Sequence, residues 1–364
     1  MNQRHRFFVS VFILVGAAHI ARPCGEHESL LIKPFVHSGT FYNHAGESLN
    51  HTLTALKIFW ATKTNWQNYY RYPGQIDAWS AREKPQERSV EPIVTWIGHA
   101  SFLVQCNNCN ILTDPVFGSL SLLYPRSTAP GIALADLPPI HAVVISHNHM
   151  DHMDEASLLA LEAGNAPHFL VPRGTAAWFV SRGCASARVH ELDWHDKIML
   201  RKHDGSVSCT FLPAVHWCHR VDWGWRGVAF CGMNTSLWGS WLFETGNLKL
   251  YFAGDSAVGK HFAQIGAHYG PIDVALMPIG PNEPRDLMKD SHLSAEEAVD
   301  AFLALGARIF IPMHWGTFRL GTDAFDDPII RLTTYWQNKD MTTKELCLLK
   351  IGQPFNHARA CSGS

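Results

Sequence analysis

The chain has 364 residues, 46% of them hydrophobic and 17% charged, enough for one large domain or two ordinary ones with a substantial core, and far from a disordered composition. A formal net charge of −2 supplies no basic field for a nucleic acid, so that class of partner is set aside, whereas a lipid met through apolar surface is not. Histidine is unusually frequent, at 22 residues.

The first residues read as an address. Arg4, His5 and Arg6 precede an apolar run from Phe7 to Ala18, and Gly16-Ala17-Ala18 offers small residues for cleavage. This pattern predicts a signal peptide over 1–18 and an exported chain, periplasmic or secreted; an uncleaved anchor is the alternative. Residues 19–92 form an N-terminal extension. Its first part, 19–50, lacks periodicity and reads as a loosely packed lead-in. Over 53–79, Phe59, Trp60, Trp66, Tyr69, Tyr70, Tyr72 and Trp79 crowd together. They either pack on the main domain or present an aromatic surface to a membrane interface, where such rings are at home. Arg82 to Pro92 reads as a linker.

From residue 93 the pattern becomes regular. Ile93–Ile97, Ser101–Gln105 and Asn110–Thr113 read as strands, and Asn107-Asn108 suits a two-residue hairpin turn between Ser101–Gln105 and Asn110–Thr113. That turn would bring Cys106 and Cys109 face to face, and in an oxidising compartment a cross-strand disulfide is expected there. Further strands are expected at His141–Ser146, Phe169–Val171, Ser208–Leu212, Leu237–Phe243, Leu248–Ala253, Val274–Pro278 and Ile309–Ile311. Helical character is expected at Ser157–Glu162. Ser294-Ala-Glu-Glu297 is a capping box that opens a helix running to Leu305, stopped by Gly306. Strands first, then strands alternating with helices, predict a mixed α/β domain over 93–364 with helices outside sheets.

The chemistry concentrates in Ser146-His147-Asn148-His149-Met150-Asp151-His152. The segment follows the buried-type strand Val143-Val144-Ile145 and falls where the chain should leave the sheet. Several imidazoles and a carboxylate in one loop require partners or a metal, and zinc takes both ligand types. The format then repeats. Strand-like runs end just before His216, Asp255 and His314, and strand ends are where layered α/β folds gather their sites. Together these residues supply seven ligands, enough for two metal ions with a shared carboxylate. Asp114 before Pro115 and His99 after Gly98 are each either a turn residue or a partner for a metal-bound group.

His147-x-His149-x-Asp151-His152, followed by His216, Asp255 and His314, resembles the metallo-β-lactamase superfamily. Trp96-Ile-Gly-His-Ala-Ser, Leu112-Thr-Asp-Pro, Leu137-Pro-Pro-Ile, Glu191-Leu-Asp-Trp, His216-Trp-Cys, Trp238-Gly-Ser-Trp, Phe252-Ala-Gly-Asp, Pro278-Ile-Gly and His314-Trp-Gly-Thr-Phe are similar to N-acylphosphatidylethanolamine-hydrolysing phospholipase D enzymes. So are Glu283-Pro-Arg-x-x-Met288, His292 and Glu296-Glu-Ala-Val. The likeness covers roughly 93–325. It implies an αββα sandwich of two mixed β-sheets flanked by helices, with two Zn2+ per chain, Fe or Mn being alternatives. One ion would sit on His147, His149 and His216, the other on Asp151, His152 and His314, with Asp255 bridging. His292 would lie near the substrate phosphate. Met150 departs from the tyrosine that human-type enzymes use as a substrate contact, and 220–236 match poorly.

The resemblance implies a homodimer, a phospholipid substrate and contact with a membrane surface. A hydroxide held between the two ions, its parent water brought to a pKa of about 7, would attack phosphorus. N-acylethanolamine and phosphatidic acid would be released, with Asp255 and Asp151 the catalytic carboxylates and His292 assisting. Hydrolysis of a lactone, a β-lactam or a small phosphodiester by the same metals is the alternative, as is a metal-stabilised binding protein without activity.

Overall fold

The computed structural model describes residues 33–43, 57, 61–62, 69–70, 74–202, 205–224 and 227–357. Residues 1–18, read above as a signal peptide, and Phe59, Trp60, Trp66 and Tyr72 lie outside them. Residues 33–43 are not the loose lead-in their composition suggests. They form a hairpin of β1 (Phe35–His37) and β2 (Thr40–Tyr42), and its Phe41 is buried in the main core.

The first large sheet grows from the expected meander of β3 (Ile93–Gly98), β4 (Ser101–Cys106) and β5 (Cys109–Thr113), all antiparallel. The parallel strands β6 (Ala142–Val144), β7 (His168–Pro172) and β8 (Val189–Leu192) follow. Asn107 and Asn108 take the left-handed conformations, φ 45° and 61°, that a two-residue hairpin turn demands. The turn does set Cys106 opposite Cys109, but the expected disulfide is absent, since Cys106 is a free thiol. The pair faces the apolar interior, where burial, with Cys109 adding to it, pushes the Cys106 thiol up to about 12. The thiolate that would attack to form the bridge is thereby suppressed, and Cys106 packs as a small apolar group.

The second sheet joins β9 (Lys197–Lys202), β10 (Gly205–Leu212), β13 (Ser240–Glu244) and β14 (Lys249–Phe252) in antiparallel fashion. The parallel strands β15 (Val274–Pro278), β16 (Ile309–Met313) and β17 (Glu345–Leu346) complete it. Between β10 and β13 the chain makes a separate hairpin of β11 (Arg220–Gly224) and β12 (Gly227–Cys231). The last strand, β18 (Pro354–Asn356), returns to the first sheet beside β3.

In the first sheet the period-two alternation of the strands sorts their side chains between two cores. In β4, Phe102 and Val104 point into the layer between the sheets. Leu103 points the other way, under the helices Glu155–Asn165 and Ala176–Ser181. In β6, Val144 and Val143 divide in the same manner. Burying one such Phe or Leu contributes about 1.5–3 kcal/mol. On the far side Val299, Phe302 and Leu305 of the helix Ala295–Leu305 pack onto the second sheet. That helix begins with the expected capping box at Ser294 and Glu297 and stops at Gly306, φ 76°. The architecture is the αββα sandwich of the metallo-β-lactamase fold.

Candidate metal centre

Every strand that delivers a chemical group does so at its C-terminal end, so the loops after β3, β5, β6, β10, β14 and β16 converge on one edge of the sandwich. Three of the delivered residues, His99, Asp114 and His314, have positive φ of 54°, 34° and 64°. Non-glycine residues rarely adopt this conformation, and the surroundings must impose it.

The ring nitrogens of His147, His149 and His216 form one group able to hold an ion, and Asp151, His152 and His314 form another together with His99. Asp255 lies between them. Its Oδ1 is 3.0 Å from His314 Nε2, and its Oδ2 is 3.2 Å from His152 Nε2. The same Oδ2 is 3.9 Å from His147 Nε2 and 3.9 Å from His216 Nε2. All seven sequence-predicted ligands are therefore brought together.

The outward nitrogens limit what the inward ones can hold. His152 Nδ1 lies 2.7 Å from Asp114 Oδ2, and His314 Nδ1 lies 2.9 Å from the Gly280 carbonyl. Both partners accept, so both Nδ1 atoms carry a proton, and each inward Nε2 is left to hold either a second proton or a cation. These two nitrogens face each other at 3.2 Å. His216 Nδ1 likewise donates to the Ser291 carbonyl at 2.9 Å, turning its Nε2 toward His149 Nδ1 at 3.2 Å. His147 Nε2 is buried without a hydrogen-bond partner. Converging ring nitrogens around a carboxylate, one of them orphaned, are the arrangement a cation satisfies, so the residues fit a metal. Protons compete for the same places. Burial opposes charge on His314, but Asp255 and then Asp151 outweigh it and raise His314 to about 9. Asp255 is pushed up by burial yet held well below the usual carboxylate range by His152 and His314.

Asp114 turns out to be a partner rather than a turn residue. Its Oδ1 accepts from the Ser146 N–H at 2.7 Å and its Oδ2 from the Ser146 hydroxyl at 2.5 Å. Ser146 Oγ in turn stands 2.9 Å from His147 Nδ1. His99 is also inside the site, its Nε2 at 2.9 Å from Asp151 Oδ2. His292 lies at the edge, with Nδ1 3.6 Å from Asp255 Oδ2. Met150 is 40% exposed on the rim.

Two supports escaped sequence reasoning. Arg220, at the start of β11, is buried and donates to the carbonyls of Asn148 at 3.3 Å and Met153 at 2.5 Å. It thereby brackets the loop that carries His149, Asp151 and His152, while its guanidinium sits 4.7 Å over the Trp178 ring. Asn43, just after β2, contacts the backbone of His216. Neither residue stands in a ligand-like sequence context, so nothing local marked them.

Comparison with known proteins agrees with this geometry. A family model described as the beta-lactamase superfamily domain matches residues 109–315. An uncharacterized protein of Mycobacterium tuberculosis is 38% identical over 247 residues, which are 66% of this chain and 62% of that one. An N-acyl-phosphatidylethanolamine-hydrolyzing phospholipase D of Caenorhabditis elegans is 34% identical over 241 residues, 64% of this chain and 65% of its own length. The chain thus spans less than two thirds of either relative. Among solved structures, a metallo hydrolase from the archaeon Ignicoccus hospitalis superposes with a TM-score of 0.54 at 19% identity, covering 72% of this chain and 97% of the other.

Proposed function

The chain belongs to the β-lactamase superfamily and is a metal-dependent hydrolase of the metallo-β-lactamase fold; from that premise we propose that it hydrolyses the head-group phosphodiester of N-acylphosphatidylethanolamine-like lipids. The observation that carries the metal-dependent part is the set of inward ring nitrogens of His152, His314 and His216 converging around Asp255. The lipid part is supported by the similarity to the nematode phospholipase and by His292. That histidine stands at the edge of the cage, 16% exposed and with Nδ1 3.6 Å from Asp255 Oδ2, beside the place a bound phosphodiester would take.

His147, His149 and His216 would hold one ion and Asp151, His152 and His314 the second, with Asp255 shared; zinc suits this nitrogen-rich set. When bound, two such ions supply an activated water and neutralise phosphodiester charge. The protein's own groups do the rest. Asp114, Ser291 and Gly280 fix the tautomers of the rings. Asp255 and Asp151 hold negative charge because the imidazoles beside them keep both well below the usual carboxylate range, against burial. His292 would orient the phosphodiester, and Met150 would line the entrance. Water adds to phosphorus, the bond to the ethanolamine oxygen breaks, and N-acylethanolamine and phosphatidic acid leave. Export and contact with a membrane surface belong to the same proposal; among the described residues no helix is long and apolar enough to cross a membrane.

Purified protein incubated with N-acylphosphatidylethanolamine, phosphatidylcholine and a lactone, each with a chelated control, tests this by mass spectrometry of the products. Chelator-sensitive release of N-acylethanolamine is the expected result. Lactone opening without lipid cleavage would retain the hydrolase and refute the substrate.

A further inference from the structure

We propose that Asn43, a residue of the N-terminal extension, is a positioning residue for the metal ligand His216, so that the hairpin before it is part of the site. The side-chain amide engages both backbone groups of His216. Asn43 Nδ2 donates to the His216 carbonyl at 3.0 Å, and Asn43 Oδ1 accepts from the His216 N–H at 3.2 Å. The same oxygen accepts from Trp238 Nε1 at 3.1 Å. His216 is thus gripped at its main chain by Asn43 and at its ring by the Ser291 carbonyl, 2.9 Å from Nδ1. With backbone and Nδ1 both fixed, the direction of Nε2 is set.

The amide is itself anchored. Phe41, two residues earlier, donates its N–H to the Asn234 carbonyl at 2.8 Å and buries its ring in the main core. The Arg173 guanidinium lies 5.6 Å above that ring. Asn234 returns to the ligand loop, accepting from the Cys218 N–H at 3.0 Å through Oδ1. The hairpin, the 216–218 loop and the 234–238 segment therefore lock together through polar contacts made by one asparagine on each side. Only a carboxamide offers donor and acceptor in this spacing. Aspartate keeps the acceptors and loses the donor, and leucine, of similar size, keeps neither. Asn43 lies far before residue 109, where the superfamily match begins, so the domain shared with the superfamily receives this support from outside itself.

The inference rests on His216 being a ligand, as proposed above. Its test measures metal affinity by chelator competition with Zn2+ alone, together with unfolding of the metal-free proteins, for the wild type and for Asn43→Leu, Asn43→Asp and His216→Ala. Asn43→Leu is expected to weaken one ion by about 10- to 100-fold, the range seen when an outer partner of a ligand is lost, and to leave the other at wild-type affinity. Asn43→Asp should weaken the same ion by less, and it keeps the test decisive if the leucine variant does not fold. His216→Ala should lose that ion altogether. Wild-type affinity for both ions in the Asn43 variants, with one ion lost in His216→Ala, overturns the inference and leaves the ligand assignment standing. Equal weakening of both ions in the Asn43 variants also overturns it, because it would mark a general loosening. Two tight ions in His216→Ala would overturn both readings.

Discussion

Replacing Asp114 by Asn should cost this site more than one hydrogen bond. Asp114 Oδ2 accepts from Ser146 Oγ at 2.5 Å and from His152 Nδ1 at 2.7 Å. Because the Ser146 hydroxyl gives its proton to Asp114, its oxygen is left to accept from His147 Nδ1 at 2.9 Å. One buried carboxylate therefore sets the tautomers of His147 and His152, and these rings belong to the two different ligand groups. An Asn side chain that turns its NH2 toward His152 forces the lone pair of that ring onto Nδ1 and puts a proton on Nε2, where it blocks coordination. Loss of a single outer partner lowers metal affinity about 10- to 100-fold. Two affected rings give about 10²- to 10⁴-fold in total, or roughly 3–5 kcal/mol. Chelator-competition titration of Asp114→Asn with Zn2+ measures this directly. Ser146→Ala serves as a comparison, since it releases His147 and leaves the His152–Asp114 contact in place. Unchanged affinity for both ions in Asp114→Asn, in a protein with wild-type circular dichroism, would refute the tautomer argument.

Other expectations follow from single contacts. Asp255→Asn should leave the fold intact and reduce hydrolysis to below about 1% of wild type, as removal of a charge aligned on the reacting centre does; near-normal turnover would remove Asp255 from its central role. Arg220→Met removes the guanidinium from over Trp178 and leaves the carbonyls of Asn148 and Met153 without their donor. Urea unfolding should show a loss of about 1–3 kcal/mol, with faster metal release to a chelator. Burial alone lowers His261 to about 3 in the folded protein, below its ordinary value of about 6.5. The neutral ring therefore contributes stability above pH 6.5 that is lost as pH falls toward 3, at about 1.4 kcal/mol per pH unit. His261→Phe should lose about 2 kcal/mol less than wild type between pH 7 and 5, and equal losses in the two proteins would contradict the assignment.

The proposed ligands stood out in the sequence because each sits in a pattern with a physical meaning. A run of apolar residues such as Ile309–Met313 ends, and the first side chain outside the sheet, His314, is one that no turn needs. The Asn107-Asn108 turn and the Ser294 capping box were legible for the same reason, since local geometry admits few residues there. What stayed hidden depends on contacts between distant segments. Asn43 reaches His216 across 173 positions. Arg220 lies in a stretch rich in Trp and Gly that resembles no motif, and its purpose appears only once Asn148 and Met153 are seen on either side of it. The Cys106–Cys109 pair shows the converse. Register was predictable from the turn, while the state of the thiols depended on which face of β4 and β5 points inward.

The two groups of ligands have a common origin in the fold. Each takes its members from both sheets: His147 and His149 with His216 in one, Asp151 and His152 with His314 in the other. An ion in either place would act as a rivet through two separately hydrogen-bonded layers, and neither layer alone presents the full proposed set of donors. Capture must come after the layers have closed on each other. Loading would then hold them shut, adding about 4 kcal/mol when free metal exceeds its dissociation constant a thousandfold. A polypeptide threaded unfolded through a membrane would carry no ion with it, so the metal it finally holds would be drawn from the compartment in which it folds.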